Sequence, residues 1–495
     1  MTLFNNDLLG EIRSRFDYID TDPVDGKRIF LDSASGSLRL KAATDALARH
    51  SRWPDQVGRL GGGSGLVAEA IERGTEDVRL LLGGRTGVVM PALSSTHAAF
   101  RVVNAVLAAR PGGNVVTTSI EHPGVYDATC KLARTHGQQW RVAPVDPNTG
   151  FVHADTILDQ VDRDTQLIAV MHGANLTGAV HDVGRITREA RAINDDVFVL
   201  ADGVQYAPHA PVDRNTGFVR ADTILDRVDR DTRLIAVMHG ANLTGAVHDI
   251  ARITREAHAI DDDIFVLADG VQYAPHAPVD VLELGVDAYA FSPYKAFCVK
   301  GIGFAWLSDR LASLPHWSLA GKPANDWSLG CPENATFAAW SAVIDYIEWL
   351  GAQFTASSDL RQRIVAAMSA SQSHLESLLH QMIDGLRSMD HVRLIGVGDE
   401  LANRVCLALF NIDAIPAAEA SAHLHEQGVR VPHRIYESCE KYALESLGVR
   451  DALRISACHY NTPDEIDAFL RNVGKMVRLR RIGTGIGFDR VPVGP

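Results

Sequence analysis

The chain has 495 residues, of which 46% are hydrophobic and 22% are charged, a composition typical of soluble globular proteins. The net charge of −13 is spread without long runs of one sign, which argues against nucleic acid or an anionic membrane as a partner. The first residues lack a secretory signal pattern, no apolar stretch reaches the roughly 18 residues of a membrane span, and the six cysteines are scattered. We therefore expect a reduced, cytoplasmic protein.

Strand and helix patterns alternate through the first two thirds of the chain. Short β-branched runs at 114–120, 167–172 and 197–203 predict buried strands. Between the last two lies an amphipathic stretch, 182–193, with the period of a helix. Strand, helix and strand in this order predict a parallel βαβ unit inside a sheet that is covered on both faces.

Residues 147–213 and 214–280 repeat one another: 58 of the 67 aligned positions are identical and 9 differ. The second copy therefore has its own βαβ unit, with strands at 234–239 and 264–270 around a helix at 249–260. Solenoid repeats are shorter and more numerous, so two near-identical copies indicate a segment duplicated inside one domain. Either copy, or one strand from each, could complete the sheet, which leaves a surplus unit with an apolar face and open strand edges.

The pattern changes near residue 330. Before it, 287–292 and 301–308 predict two more strands; after it, the helical stretches 335–352 and 359–388 precede further strands and a last helix. We predict an α/β fold with three parts. These are a large domain with a mostly parallel sheet (1–330), a small C-terminal α+β domain (331–480) and a disordered tail (481–495).

A lysine and an aspartate that follow predicted strands point to one kind of chemistry. Lys295 comes after the strand 287–292 in the turn Ser-Pro-Tyr-Lys, where a partly desolvated amine has the lowered pKa that imine formation needs. A surface lysine in a loop is the alternative. Asp269 ends another strand, and a buried carboxylate there could hold the nitrogen of a pyridine ring protonated, so that the ring accepts electrons.

Two further positions fit the same kind of ligand. His122, in the strand-end sequence SIEHPG, could stack on the ring's other face. Ser94, Ser95 and Thr96 stand at the start of a helical pattern. Hydroxyls and free backbone amides at a helix N-terminus form a natural phosphate site.

Seven segments together resemble the class V aminotransferases, a family of fold-type I enzymes that use pyridoxal phosphate (PLP), and within it the cysteine desulfurase-like branch. The segments are LDSASGS, SIEHPG, MHGANLTGAVHD, LADGVQYAPHAPVDV, SPYK, GCPEN and LRISACHYNT. The resemblance runs from residue 31 to about Met476 once one copy of the repeat is left out. It implies a large domain with a sheet of the seven-stranded type, a small amino acid as substrate and a homodimer.

The resemblance also implies roles for single residues. Lys295 would form the Schiff base with PLP, Asp269 would pair with the ring nitrogen, and Gln272 would hydrogen-bond the ring oxygen. His122 would stack on the ring, and Asn242 would contact the ring oxygen or the substrate. The remaining positions would hold the phosphate (Ser95, Thr96, Ser292, Tyr294) and the substrate carboxylate (Arg454).

Two cysteines depart from the family pattern. Cys331 stands in GCPEN where the family has a threonine that reaches the partner subunit's phosphate. Cys439 follows Arg434 by five residues, a spacing like that of the loop with the persulfide-forming cysteine of desulfurases, but the surrounding motif differs. We consider Cys439 a candidate nucleophile, with a bystander thiol on a helix as the alternative.

Because the repeat contains the implied site residues twice, the pocket has two possible sets of them. Copy one offers Asn175, Asp202 and Gln205, and copy two offers Asn242, Asp269 and Gln272. We favour copy two, since its connection to Lys295 is short and unbroken. The histidines repeated in each copy (His172, His209, His239 and His276) have no metal-site spacing, so we expect structural roles for them and no metal.

The reaction predicted first is the removal of sulfur from cysteine. Transamination, β-elimination and epimerisation share its first steps and stay open, as does the identity of the amino acid. A hypothesis of another class is that the repeat has damaged the pocket, which would leave a PLP-binding or cofactor-free protein without activity.

Overall fold

The computed structural model describes 4–53, 57–108, 114–118, 134, 137–144, 153–171, 183–194, 197–202, 215–216, 221–226, 228, 234–330, 333–398, 401–435, 444 and 447–481. The strands are β1 (Thr21–Asp22), β2 (Gly26–Lys27), β3 (Ile29–Phe30), β4 (Val88–Ala92), β5 (Asn114–Thr118), β6 (Gln139–Ala143), β7 (Thr165–Met171), β8 (Phe198–Asp202), β9 (Leu234–Met238), β10 (Phe265–Asp269), β11 (Ala288–Phe291), β12 (Gly303–Leu307), β13 (Val392–Ile395), β14 (Leu407–Ile412), β15 (Val429–Arg430), β16 (His433–Ile435) and β17 (Asp451–Ser456).

The α-helices are α1 (Asn6–Ser14), α2 (Lys41–His50), α3 (Gly62–Leu82), α4 (Ser95–Ala108), α5 (Ala154–Leu158), α6 (Val183–Ile193), α7 (Ala221–Leu225), α8 (Ile250–Ile260), α9 (Val281–Leu284), α10 (Asp309–Ala312), α11 (Asn334–Gly351), α12 (Leu360–Arg387), α13 (Ala417–Glu426) and α14 (Pro463–Arg481). None of these helices is both long and apolar enough to cross a membrane.

Five strands form the main sheet, in the order β4-β12-β11-β10-β9. β9, β10 and β11 run parallel, while β12 is antiparallel to both of its neighbours. Successive residues of β10 face opposite sides: Val266 and Ala268 join the core under α8 and α11, and Leu267 joins the core under α4. Because both faces are covered, the strand sequence FVLA is apolar throughout, as the sequence predicted.

The first copy of the repeat lies in a second sheet. Its strands β7 and β8 continue the parallel order β6-β5-β7-β8. This sheet has a small core of its own, in which Val116 and Ala143 meet Ile157, Val161 and other residues of copy one. The predicted mixed α/β fold with a mostly parallel sheet is confirmed, and in the described residues these strands form one sheet of five and one of four where the resemblance implied a single sheet of the seven-stranded type. The division follows from the repeat, because β5 pairs with the first of two strands that share the sequence LIAVM.

Helix α8 packs copy two against the main sheet. The Asp249 side chain caps the helix by accepting a hydrogen bond from the Arg252 amide at 3.0 Å. Ile250, Ile253 and Ala257, spaced by three and four residues, are fully buried in the main core. The amphipathic pattern of the sequence therefore becomes the contact between helix and sheet.

The C-terminal part contains the antiparallel sheet β13-β14-β17-β16, with α12 and α14 packed together over its core. Among its contacts with the N-terminal part, β3 pairs with β15, and α11 packs on α2 and α3. The proposed division at residue 330 and the end of the small domain at 480 stay predictions. The predicted tail lies outside the described residues from 482 onward.

Two of the nine differences between the copies concern fully buried positions of copy two. Ile250 and Ile264 replace Val183 and Val197 of copy one, and both isoleucines are fully buried in the main core. We expect I250V and I264V each to lower the free energy of unfolding by about 0.5–1.5 kcal/mol, measured by chemical denaturation, because each leaves a methyl-sized gap. The control Q160R introduces, at a partly exposed position of copy one, the residue that copy two has at the equivalent position. It should change the free energy of unfolding by less than about 0.5 kcal/mol. Equal effects of all three variants would contradict this account.

Candidate active site

The carboxyl ends of β10 and β11 bring the lysine and the aspartate to one edge of the main sheet. β10 ends at Asp269, and β11 is followed by Ser292 and the single 3-10 turn Pro293–Lys295. The Lys295 amide donates to the Ser292 carbonyl at 3.1 Å, which closes the turn. Parallel α/β sheets bind their ligands at this edge, where the connections after the strands meet.

The surroundings of Lys295 make its amine easier to deprotonate than that of an ordinary lysine. Burial lowers its pKa to about 8, and the positive charge of Arg454 acts in the same direction. The negative charge of Asp269 opposes the shift but does not cancel it. An amine that loses its proton near neutral pH is a competent nucleophile toward a carbonyl carbon. Lys295 thus differs in its electrostatics from a fully solvated surface lysine.

Asp269 is surrounded by protein atoms, yet its side chain is exposed. Burial raises its pKa, while a hydrogen bond from the Val271 amide at 3.0 Å and the charge of Lys295 act against the rise. The three residues before it in β10 are buried, whereas Asp269 itself is exposed. A carboxylate surrounded by protein but reachable from outside can serve as an acceptor for a cationic N–H group of a bound molecule.

A hydroxyl cluster lies at the N-terminus of α4. The Ser292 hydroxyl donates to the Ser95 hydroxyl at 2.9 Å and also accepts a hydrogen bond of 3.4 Å from the Ser95 amide. Gly303 of β12 allows the close approach of this helix start, since a Cβ there would stand 2.2 Å from the Ser94 carbonyl carbon. The N-terminus of this 14-residue helix, where the Ser95 amide meets two serine hydroxyls, can bind a phosphate group.

Of the other predicted phosphate ligands, Tyr294 is half-buried at the same turn, and burial raises the pKa of its phenol. It therefore keeps its proton at neutral pH and can donate it in a hydrogen bond. Thr96 is the second residue of α4, and its side chain lies outside the described part of the structure.

Arg454, in β17 of the C-terminal sheet, lies beside the edge of the main sheet that carries Lys295. It is buried, with Nη1 donating to the Asn242 carbonyl at 3.0 Å and Nη2 donating to the Ser35 hydroxyl at 2.6 Å. Asp32 lies 3.3 Å from the same Nη2 atom. A second guanidinium, that of Arg434, also donates to the Ser35 hydroxyl at 2.6 Å. Two cations therefore converge beside Lys295, a suitable environment for an anionic group of a substrate.

Sequence reasoning did not assign Asp32, Ser35 or a ligand-binding role for Arg434. The motif LDSASGS was recognised as a whole, but its separation from Arg454 by about 420 residues hides the contact. The Gln272 amide nitrogen donates to the Ala34 carbonyl at 2.8 Å. Gln272 thus holds the LDSASGS segment against the sheet, and the second N–H of the same amide group can donate to another partner, so its contact with a ring oxygen stays a prediction.

Two histidines of copy two are buried. His239 hydrogen-bonds the Tyr289 hydroxyl at 3.0 Å and stacks on Tyr273 with ring centroids 3.8 Å apart. Burial lowers the pKa of His239 to about 3 and that of His276 to about 4, so both are neutral at physiological pH. Among the described residues, no group of three or more His, Cys, Asp or Glu side chains could hold a metal ion.

Several predicted positions lie outside the described residues: His122, Asn175, Gln205, Cys331, Cys439 and the histidines His172 and His209. Of Asp202 only the backbone is described, as the last residue of β8 in the four-stranded sheet. The strand that leads to His122, β5, belongs to that same sheet. Of copy two, Asp269 lies beside Lys295 and the Asn242 carbonyl accepts a hydrogen bond from Arg454, while Gln272 contacts Ala34 of the LDSASGS segment.

Comparison with known proteins agrees with this geometry. A family model described as aminotransferase class-V matches twice, at residues 29–219 and 214–469. A probable cysteine desulfurase of Halobacterium salinarum is 29% identical over 276 residues, which cover 52% of this chain and 60% of that protein. A cysteine desulfurase of Dickeya dadantii is 28% identical over 268 residues, covering 51% and 59%. The matched stretches thus span less than two thirds of these relatives.

Solved structures extend the likeness of the fold to nearly the whole chain. A cysteine desulfurase of Escherichia coli has a TM-score of 0.59 at 19% identity and covers 96% of this chain and 99% of its own. A cysteine desulfurase of Thermococcus onnurineus has a TM-score of 0.58 at 17% identity and covers 91% and 95%. At these identities the likeness establishes the fold alone.

The site predicts a pH profile for the Lys295 amine. We expect its labelling by isotopic formaldehyde and cyanoborohydride, followed by peptide mass spectrometry, to rise with a midpoint near pH 8, because only the neutral amine reacts. D269N removes a negative charge that stabilises the ammonium form, so its midpoint should move to lower pH. The matched control D202N should leave the midpoint unchanged. A shift caused by D202N and not by D269N would refute the assignment of copy two to this site.

Proposed function

Since the chain belongs to the class V aminotransferase family, we propose that it is a PLP-dependent enzyme that acts on a small amino acid, most specifically a cysteine desulfurase. The observation that carries the proposal is the pairing of a lysine with a lowered pKa and a deep but accessible aspartate at one sheet edge. The named relatives are desulfurases, which favours sulfur removal within the class.

The residues at this edge fit PLP in charge and in hydrogen-bonding capacity. The Lys295 amine would bond to the cofactor's aldehyde carbon, and the Asp269 carboxylate would accept a hydrogen bond from the protonated ring nitrogen. Ser95, Ser292 and Tyr294 would donate to the phosphate at the N-terminus of α4. When bound, PLP supplies an electron-accepting ring that stabilises negative charge on the substrate's α-carbon.

The remaining steps fall to side chains of this chain. Arg454 would bind the substrate's carboxylate, which requires it to release its contact with Asp32. Asn242, whose carbonyl already holds Arg454, is the neighbouring substrate contact. The Lys295 Nζ atom would then take the proton from the α-carbon and return one later, as an amine with a pKa of about 8 can do in both directions.

Desulfuration needs a thiol that accepts the sulfur. In the overall reaction, cysteine and a protein thiol give alanine and a persulfide on that thiol, so all atoms and electrons balance without an outside oxidant. We propose Cys439 as this thiol, on the basis of its spacing from Arg434. His122 as the stacking residue, Gln272 as a ring-oxygen donor and Thr96 as a phosphate ligand belong to the same proposal, as do the homodimer and the cytoplasmic location.

The first test is cofactor retention. We expect the protein to take up PLP, to show the absorbance of a lysine-bound cofactor, and to hold it on Lys295 after borohydride reduction, as identified by peptide mass spectrometry. D269N should weaken PLP binding by at least about tenfold, or about 1.4 kcal/mol, because the ring nitrogen loses its anionic partner. D202N is the matched control and should retain PLP as the unmodified chain does. Loss of PLP from D202N alone would overturn the choice of copy two, and folded protein without any uptake would favour the alternative of an inactive, damaged pocket.

The second test identifies the reaction. With a panel of small amino acids and dithiothreitol as reductant, we expect sulfide and alanine in equal amounts from cysteine, and little pyruvate or keto acid. C439A should lower the rate of sulfide formation more than about a hundredfold while PLP uptake persists, since water cannot accept the sulfur in place of the thiol. C130A, at another scattered cysteine, serves as the control. Unchanged sulfide release by C439A would remove this residue from the mechanism, and pyruvate or keto acid as the main product would favour a β-lyase or an aminotransferase.

A further inference from the structure

The two copies of the repeat have the same strand sequence but different neighbours. β7 pairs with β8 on one side and with β5 on the other, with Val116 opposite Ile168 and Thr117 opposite Ala169. β9 pairs with β10 on one side, and in the part of the chain that the structure describes it has no strand on its other side. Residues 234–238 of β9 are identical to residues 167–171 of β7, so the open edge of β9 offers β5 the same backbone groups in the same register.

Equivalent residues are buried more deeply in copy one, next to β5 and β6, than in copy two. In copy one, Ile157 and Val161 are buried because Val116 of β5 and Ala143 of β6 complete their core. The equivalent residues of copy two, Ile224 and Val228, are only partly buried at the margin of the main core. At the end of the same edge, Met238 is 41% exposed. Copy two therefore has an apolar margin that matches the one that β5 and β6 cover in copy one.

We propose that β5 and β6 exchange as a unit between β7 and β9. The chain then interconverts between the divided sheets described above and a joined sheet of order β6-β5-β9-β10-β11-β12-β4, in which copy one is extruded. Since the two docking edges have the same sequence, the backbone hydrogen bonds broken at β7 are re-formed at β9. Because β5 ends at Thr118, the exchange also determines which sheet the following segment is attached to. This inference goes beyond the proposed function and does not depend on it.

Disulfide trapping in the full-length chain distinguishes the two arrangements. Residues opposite one another in adjacent parallel strands have Cα atoms about 4.8 Å apart, within the range of about 4.4–6.8 Å that a disulfide spans. T117C/A169C should bridge rapidly under mild oxidation, because these residues are opposite each other in the divided form. T117C/A236C should bridge within one chain too, more slowly, and only through the joined form. Peptide mass spectrometry identifies each bridge, and non-reducing electrophoresis separates bridges within a chain from bridges between chains.

Three controls keep the result decisive. The single variant T117C reports any bridge to a native cysteine. T117C/A268C places the second thiol one strand farther, in β10, where it stays out of reach in both arrangements. The thermal midpoints of the reduced double variants show whether all are folded. No T117C/A236C bridge under conditions that complete T117C/A169C would overturn the proposal, as would a bridge that forms only between two chains or one that T117C/A268C forms at the same rate. The readout does not involve PLP or activity, so its failure is independent of the failure of the proposed function.

Discussion

The parallel pairing of β10 and β11 is the constraint on which the candidate site depends. It brings the ends of two strands to one edge, so that Asp269 and the turn with Lys295 meet although 26 residues separate them. The same edge receives Ser95 from α4 and Arg454 from the C-terminal sheet. Every property proposed for the lysine, above all its lowered pKa, follows from this convergence of buried and charged groups.

The repeat acts on this site indirectly. A βαβ unit is stable only when its sheet edges and apolar faces are covered, and the chain offers one β5–β6 pair for two such units. In the described structure the pair covers copy one, which gives the surplus residues a core of their own and leaves copy two at the edge with the candidate site. The cost is an uncovered margin at β9, the side of the main sheet opposite β4.

The sequence was informative where local patterns decide the structure. Strand 114–120 and helix 182–193 correspond to β5 and α6 within two residues, because β-branched runs and a 3.6-residue period are strong local signals. The contact of Arg454 with Ser35 has no local signal, since it joins residues from opposite ends of the chain. The division of the sheet could not be predicted either: two strands that share the sequence LIAVM give β5 no preference that a pattern can reveal.

What distinguishes the copies is the small set of positions at which they differ. Ile250 and Ile264 fill the main core of copy two where copy one has valines, which favours copy two there by about 1–3 kcal/mol, or roughly 5- to 150-fold. His258 hydrogen-bonds the Ile264 carbonyl at 3.0 Å and lies 3.2 Å from an Arg310 nitrogen. Copy one has Arg191 at the equivalent position, and a second guanidinium beside Arg310 would be repelled by it. The buried side chains of copy two thus favour its packing next to β11. The edges of β7 and β9, to which β5 can pair, have the same sequence in both copies.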